Sequence, residues 1–161
     1  MKKVSITISL FLSLMLFQTS FANAFELEDF NGSTINLEDK IGQDKWTLVM
    51  FWAHDCGVCR AETPAISAFH NDRDDVDVIG VSIDGEAKKH LAEAFLEATK
   101  PSFPSYIGSL TLVAGNYRIL TEEDFRGTPT FLLFTPEGEL LGNNPGKMSI
   151  EALESFIEAN S

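Results

Sequence analysis

Apolar and polar positions divide this chain into short apolar runs alternating with segments of helical period. From Phe25 to Leu37, two brief apolar segments (Phe25, Leu27, Phe30, then Ile35, Leu37) flank Asn31-Gly32, which predicts a β-hairpin. Trp46 to Ala53 is the first long apolar run, dense enough to predict a central strand buried on both faces. Between Cys56 and His70, the positions Val58, Ala61, Ala65, Ile66 and Phe69 recur at helical spacing, and Pro64 is expected to kink that helix. A second strand is predicted from Val76 to Ile83, closed by Asp84-Gly85. An amphipathic helix follows from Glu86 to Thr99, with Ala87, Leu91, Ala94, Phe95 and Ala98 on one face and Pro101 as its stop. Phe103 to Ile107 reads as a strand and Leu110 to Tyr117 as a helical piece, while Ile119 to Phe125 fits neither period. Thr130 to Thr135 reads as a strand, Pro136-Glu137-Gly138-Glu139 as a turn, and Leu140-Leu141 as the start of its partner. Ser149 as N-cap opens a last helix with Ile150, Leu153, Phe156 and Ile157 on one face. The alternation predicts an α/β fold, a mixed β-sheet flanked by helices.

The first 24 residues carry a different pattern: Lys2 and Lys3, an apolar run from Val4 to Phe17, and Ala22-Asn23-Ala24 as a small-x-small cleavage site. That is the form of a secretory signal peptide, with a mature chain expected from Phe25 and an uncleaved anchor as the lesser alternative. The apolar run is shorter than the ~20 residues that span a bilayer. No cysteine precedes Cys56, so lipid attachment at a mature N-terminal cysteine is not available. Removing Lys2 and Lys3 moves the formal charge from −12 to −14. Such acidity argues against nucleic acid and against anionic lipid as partners. Residues 25–161 are expected to form one domain, without linker or internal repeat.

The chemistry concentrates at Trp52-Ala53-His54-Asp55-Cys56-Gly57-Val58-Cys59, where both cysteines of the chain lie. A disulfide closing so short a loop removes little unfolded-state entropy, which makes a structural staple a poor explanation and a reversible redox pair a better one. A zinc site would need about four ligands, and His54, His70 and His90 show no ligand spacing.

A strand ending in Trp-Ala-x-x-Cys-x-x-Cys, a helix with a proline five residues past the second cysteine, and Gly127-Thr128-Pro129-Thr130 before an apolar strand together resemble the thioredoxin superfamily. The opening hairpin, the signal peptide, the extra strand-helix unit between Val76 and Thr99, and Cys59-Arg60-Ala61-Glu62-Thr63-Pro64 resemble its secreted TlpA/ResA/DsbE branch. The resemblance covers about residues 25 to 160, most strongly 51 to 64 and 127 to 134. It implies a thioredoxin-like fold and an extracytoplasmic protein disulfide reductase, of the kind that serves cytochrome c or oxidase maturation. No cofactor is implied. The partners implied are disulfide-bearing client proteins and a membrane electron donor of thiol-reducing type. Cys56, at a helix amino terminus whose unpaired N–H groups favour a thiolate, is the expected nucleophile. Cys59, one turn further in, is expected to resolve the mixed disulfide. By resemblance Pro129 is a cis-proline lining the partner's groove, and Thr128 presents its backbone there. Trp52 is placed with the substrate-binding residues, although packing beside the disulfide is its firmer role. Glu62, three residues past Cys59, matches an acid that in the branch influences the protonation of the cysteines; a solvated first-turn carboxylate is the equal alternative.

Several positions depart from that pattern. Asp55 stands where an aromatic residue is usual; its charge opposes a thiolate at Cys56, and an N-cap role is expected for it. Gly57-Val58 lacks the histidine that strong oxidants carry between their cysteines, which favours a reducing couple. Met50 replaces the buried aspartate of thioredoxin itself. His54 could shuttle a proton, with an exposed loop histidine as the preferred reading, and His70 and His90 are assigned to helix surfaces. The acidic stretch Glu122, Glu123 and Asp124 reads as solvated loop that could select basic partners. The alternatives are a disulfide oxidase or isomerase, and a copper(I) chaperone using Cys56, Cys59 and a histidine or Met148. A peroxidase is disfavoured, because the Thr-x-x-Cys of peroxiredoxins is absent: Thr47 lies nine residues before Cys56. No surplus apolar helix offers a dimerisation arm, so a monomer is expected.

Overall fold

The computed structural model describes residues 25–161, so the signal peptide expected over residues 1–24 lies outside the described residues. Strands β1 (Glu26–Glu28) and β2 (Thr34–Asn36) pair antiparallel as the opening hairpin, and a 3-10 turn follows at Leu37–Lys40. The rest is β3 (Trp46–Trp52), α1 (Gly57–Asp72), β4 (Val76–Ser82), α2 (Lys89–Thr99), β5 (Ser105–Ile107), α3 (Leu110–Thr121), β6 (Thr130–Phe134), β7 (Leu140–Pro145) and α4 (Ile150–Ala159). The strands form one seven-stranded sheet in the order β2-β1-β5-β4-β3-β6-β7. β3, β4 and β5 run parallel, whereas β6 is antiparallel to β3 and β7 to β6.

All residues of β3 are buried, and the two-residue period of a strand sorts them between two cores. Trp46, Leu48, Met50 and Trp52 pack with Cys59, Ile66 and Phe69 of α1, Phe95 of α2 and Ile157 of α4. On the opposite face, Val49 and Phe51 pack with Phe25 and Leu27 of the hairpin region and with Val113 and Tyr117 of α3. Because both faces are covered, the strand reads as a continuous apolar run rather than an alternating one.

Two helices bury only part of the faces expected: Ile66 and Phe69 of α1 and Phe95 of α2 are buried as read, but their neighbours differ. In α1 the buried positions are Cys59, Glu62, Thr63, Ile66 and Phe69, while Val58, Ala61 and Ala65 are exposed. The helix is aimed by Cys59, and the positions three and four residues later carry Glu62 and Thr63, which an apolar count passes over. Thr63 is accommodated because its hydroxyl donates to the Cys59 carbonyl at 2.8 Å. α2 begins at Lys89, after a 3-10 turn at Glu86–Lys88, and buries Ala92 and Phe95; Ala87, Leu91, Ala94 and Ala98 face outward. Alanines occur on both the buried and the exposed side of α2, so their spacing does not mark a core face. The stretch that fitted neither period is the last turn of α3 and its exit: Glu122 takes a left-handed conformation and its N–H caps the Arg118 carbonyl at 2.9 Å. Phe125 then returns to pack edge-on against Phe51 and Tyr117.

Gly80 of β4 lies under the indole that closes β3. A Cβ there would stand 2.4 Å from Ser105 Oγ and 3.0 Å from Trp52 Nε1. Gly80→Ala is therefore expected to destabilise the protein by about 1–3 kcal/mol, the usual range for overpacking. Urea unfolding checks this, and adding Ser105→Ala should recover part of the loss.

Candidate active site

β3 ends at Trp52, and the chain turns through Ala53, His54 and Asp55 into α1, with the Cys56 N–H donating to the Ala53 carbonyl at 3.1 Å. Cys56 is the N-cap of α1: its Sγ accepts from the Cys59 N–H at 3.0 Å. The expectation that Asp55 caps the helix is thereby corrected. Sulfur occupies the position where a cap atom meets the free N–H groups of the first turn, and Asp55 is left exposed. Cys56 and Cys59 form a disulfide with Cα atoms 5.3 Å apart. The two sulfurs are unequal: Cys59 is fully buried in the core, and Cys56 is half-buried at its rim.

β6 brings a second segment to the same end of the sheet. Thr130 pairs with Phe51, so Pro129, one step earlier, stands level with Trp52. The Thr128-Pro129 peptide bond is cis. Gly127 has φ 130°, a conformation that favours glycine, and its carbonyl accepts from the Thr130 hydroxyl at 2.6 Å. Gly146 donates its N–H to the Pro129 carbonyl at 2.8 Å, tying this loop to the end of β7. Arg126 to Thr130, Pro145 and Gly146 together line a surface depression.

Trp52, placed among the substrate-contacting residues, is 2% exposed and stacks on Phe95 with centroids 4.5 Å apart. It offers almost no surface and is a packing residue. Arg60, which the sequence did not single out, lays its guanidinium 4.7 Å from the centre of the same Phe95 ring. The column Arg60-Phe95-Trp52 thus supports the end of β3 from the side of α1 and α2.

Glu62 is 6% exposed, which removes the solvated-carboxylate alternative. Its Oε1 accepts from the Met148 N–H at 2.8 Å, and its Oε2 is buried without a partner. Burial raises its carboxyl above the ordinary range, opposed by the Met148 hydrogen bond and by Lys147. The residue thus lies one helical turn beyond Cys59 on the buried face of α1. Met148 packs against the core that also holds Cys56 and Cys59.

His54 is not an exposed loop histidine. Its Nδ1 lies 2.5 Å from Asp84 Oδ1, and its backbone N–H donates to Asp84 Oδ2 at 2.9 Å. In the sequence Asp84 reads only as turn punctuation after the second strand. Of the other histidines, His70 is half-buried with its ring against the edge of Phe103, and His90 is exposed on α2. Asp124 pairs with Arg118, which removes part of the negative charge from the Glu122–Asp124 stretch. Among the described residues no group of three or more His, Cys, Asp or Glu side chains is gathered as a metal site.

Comparison with known proteins agrees with this geometry. The AhpC/TSA family model matches residues 19–141. Sporulation thiol-disulfide oxidoreductase A of Bacillus subtilis is 27% identical over 144 residues, covering 88% of this chain and 82% of that protein. YkuU of the same organism, named a putative peroxiredoxin, is 30% identical over 131 residues, covering 74% of this chain and 72% of its own. The structure of Mycobacterium tuberculosis DsbF, in mixed oxidised and reduced forms, superposes with a TM-score of 0.70 at 20% identity, over 86% of this chain and 96% of that one. The fold is thioredoxin-like.

Burial favours the protonated form of Glu62 in the folded protein, so across the window from about 4.5 up to its raised value the folded state binds more protons than the unfolded state. Stability is therefore expected to fall with rising pH relative to Glu62→Gln, which carries no such charge. Urea unfolding of both proteins between pH 4 and 8 checks the sign; a difference independent of pH would contradict it.

Proposed function

The chain belongs to the AhpC/TSA family and is a thiol-disulfide oxidoreductase of thioredoxin-like fold, and from that premise we propose that it reduces disulfides in partner proteins outside the cytoplasm. The observation that carries this reading is the inequality of the two sulfurs: Cys56 caps a helix at the rim of the core, and Cys59 is enclosed beneath it. In the dithiol form the Cys56 thiolate attacks a partner disulfide. Cys59 then attacks the resulting mixed disulfide, releasing the partner as a dithiol and leaving the Cys56–Cys59 disulfide. The free N–H groups at the start of α1 stabilise the attacking thiolate. The loop Gly127–Pro129 would hold the partner's backbone, with Thr128 and Pro129 beside the pair. Glu62 would accept or return the proton of Cys59, since it is buried on the same helix face and has an unpartnered oxygen. A membrane donor of thiol-reducing type would re-reduce the pair.

Export rests on residues 1–24, and among the described residues no helix is long and apolar enough to cross a membrane. A single acidic domain, with no surplus apolar helix as a dimerisation arm among the described residues, supports a monomer. Against a peroxidase, Ala53 occupies the position three residues before Cys56 where peroxiredoxins carry threonine.

Three measurements test the proposal. The equilibrium reduction potential of the protein should fall at roughly −200 to −270 mV, the reducing part of the superfamily's span; a value near about −120 mV would support an oxidase instead. Cys59→Ser should accumulate a mixed disulfide with a client or with reduced and re-oxidised insulin, whereas Cys56→Ser should accumulate none. Peroxide consumption by the dithiol form faster than insulin reduction would replace the reductase reading with a peroxidase one.

A further inference from the structure

The turn that presents Cys56 is fastened at a single carboxylate. Asp84 Oδ2 accepts from the His54 N–H at 2.9 Å and from the Ser82 hydroxyl at 2.7 Å, while Oδ1 meets His54 Nδ1 at 2.5 Å. The side chains of Asp84 and His54 are 3% and 19% exposed, and Ser82 is fully buried. This is a built network, and it joins the end of β4 to the loop between β3 and α1. A carboxylate only accepts hydrogen bonds, so Nδ1 carries the proton in this contact. In the neutral imidazole that leaves Nε2 as a free acceptor. Among the described residues Nε2 has no hydrogen-bond partner, and it is not among the enclosed unpartnered atoms, so it reaches solvent. His54 stands two residues before Cys56, within about 7 Å along the backbone. Asp84, two residues past the end of β4, and exposed Asp55 in the same turn are the charged groups beside it.

We propose that His54, oriented by Asp84, carries the proton for the Cys56 half of the exchange. The inference rests on the reductase reading above and adds to it a proton carrier on the open side of the disulfide, apart from Glu62 on the enclosed side. Starting from the dithiol, His54 Nε2 takes the Cys56 thiol proton, directly or through one water. The thiolate attacks one sulfur of the partner disulfide; the Cys56–S bond to the partner forms as the partner's S–S bond breaks. The departing partner thiolate receives the proton from Nε2 and leaves as a thiol. His54 ends neutral, and the Cys59 thiol supplies the second proton when it resolves the mixed disulfide. Both electrons come from the enzyme dithiol, regenerated in the test by dithiothreitol. Asp84 is the positioning residue: it fixes the tautomer and stabilises the imidazolium, the role a buried carboxylate plays towards a catalytic histidine elsewhere.

The test separates proton transfer from presentation of the turn. His54→Asn retains a side-chain amide that can donate to Asp84 Oδ1 in place of Nδ1–H, and lacks Nε2. Reduced full-length wild type, His54→Asn and Asp84→Asn are compared from pH 5 to 9 in two reactions. One is reduction of insulin disulfides, in which a thiolate leaves and must be protonated. The other is alkylation of Cys56 by iodoacetamide, in which iodide leaves and needs no proton. His54→Asn is expected to slow insulin reduction roughly 10- to 100-fold, at the lower end of general acid-base effects, and to lose the limb of the pH profile that reports the imidazole. Alkylation above the thiol pKa is expected to change less than about 3-fold, since only thiolate presentation matters there. Asp84→Asn, which favours the opposite tautomer, should show the same selective loss. Equal slowing of both reactions would make His54 a structural fastening and overturn the proposal, as would unchanged insulin reduction. If wild type alkylates normally yet does not reduce insulin, the reductase reading itself fails, which is a distinguishable result.

Discussion

A strand can be buried on both faces only if both sides of its sheet are covered, and most of this architecture meets that requirement for β3. Trp46, Leu48, Met50 and Trp52 face one core, Val49 and Phe51 the other. α1, α2 and α4 cover the first face, while α3 and the opening hairpin cover the second. Full burial of large apolar side chains is worth about 1.5–3 kcal/mol each, so this strand anchors the fold more firmly than any surface contact. The same burial fixes where its last residue lies, and hence where the following turn and Cys56 emerge. β6, held to β3 from Thr47 to Phe51, delivers Pro129 to that place from the other direction.

The reactive end is consequently graded from enclosed to open. Cys59, Glu62 and Thr63 are on the core side of α1; Asp55, Gly57 and Val58 are exposed. Cys56 stands at the boundary. A sulfur at a helix N-cap receives an N–H hydrogen bond that favours its anionic form, and access from solvent lets a partner reach it. A buried partner sulfur is protected from the same encounter and can meet only the mixed disulfide formed at Cys56. The division of labour proposed for the two cysteines thus follows from how α1 enters the core.

The elements around the site were legible because the signals were dense: the apolar run of β3, the Cys-x-x-Cys that follows it, and Gly127-Thr128-Pro129-Thr130 before β6. What was not legible came from polar residues turned inward. Glu62 and Thr63 on the buried face of α1 displaced the helix phase expected from Val58, Ala61 and Ala65. The role of Asp84 was hidden because its partner, His54, is 30 residues away and meets it only through parallel pairing of β3 and β4. Sequence points to Asp55 as the cap because carboxylates commonly cap helices; sulfur doing so is uncommon enough that composition does not suggest it.

The charges around Cys56 bear on the direction of its chemistry. Asp55 is exposed beside it, and the residues between the cysteines, Gly57 and Val58, carry no cation. Arg60 is the basic residue of the first turn and a half, and its guanidinium is drawn onto the Phe95 ring. With His54 neutral, as it stands before and after each proton transfer, stabilisation of a Cys56 thiolate falls mainly to the backbone N–H groups of α1, against an adjacent negative charge. A thiolate stabilised by a cationic neighbour leaves a disulfide readily and makes an oxidant; one stabilised by a helix terminus alone retains more affinity for its partner sulfur. The Cys56–Cys59 disulfide is favoured over the dithiol to that extent, and a pair that prefers to be oxidised passes its electrons outward.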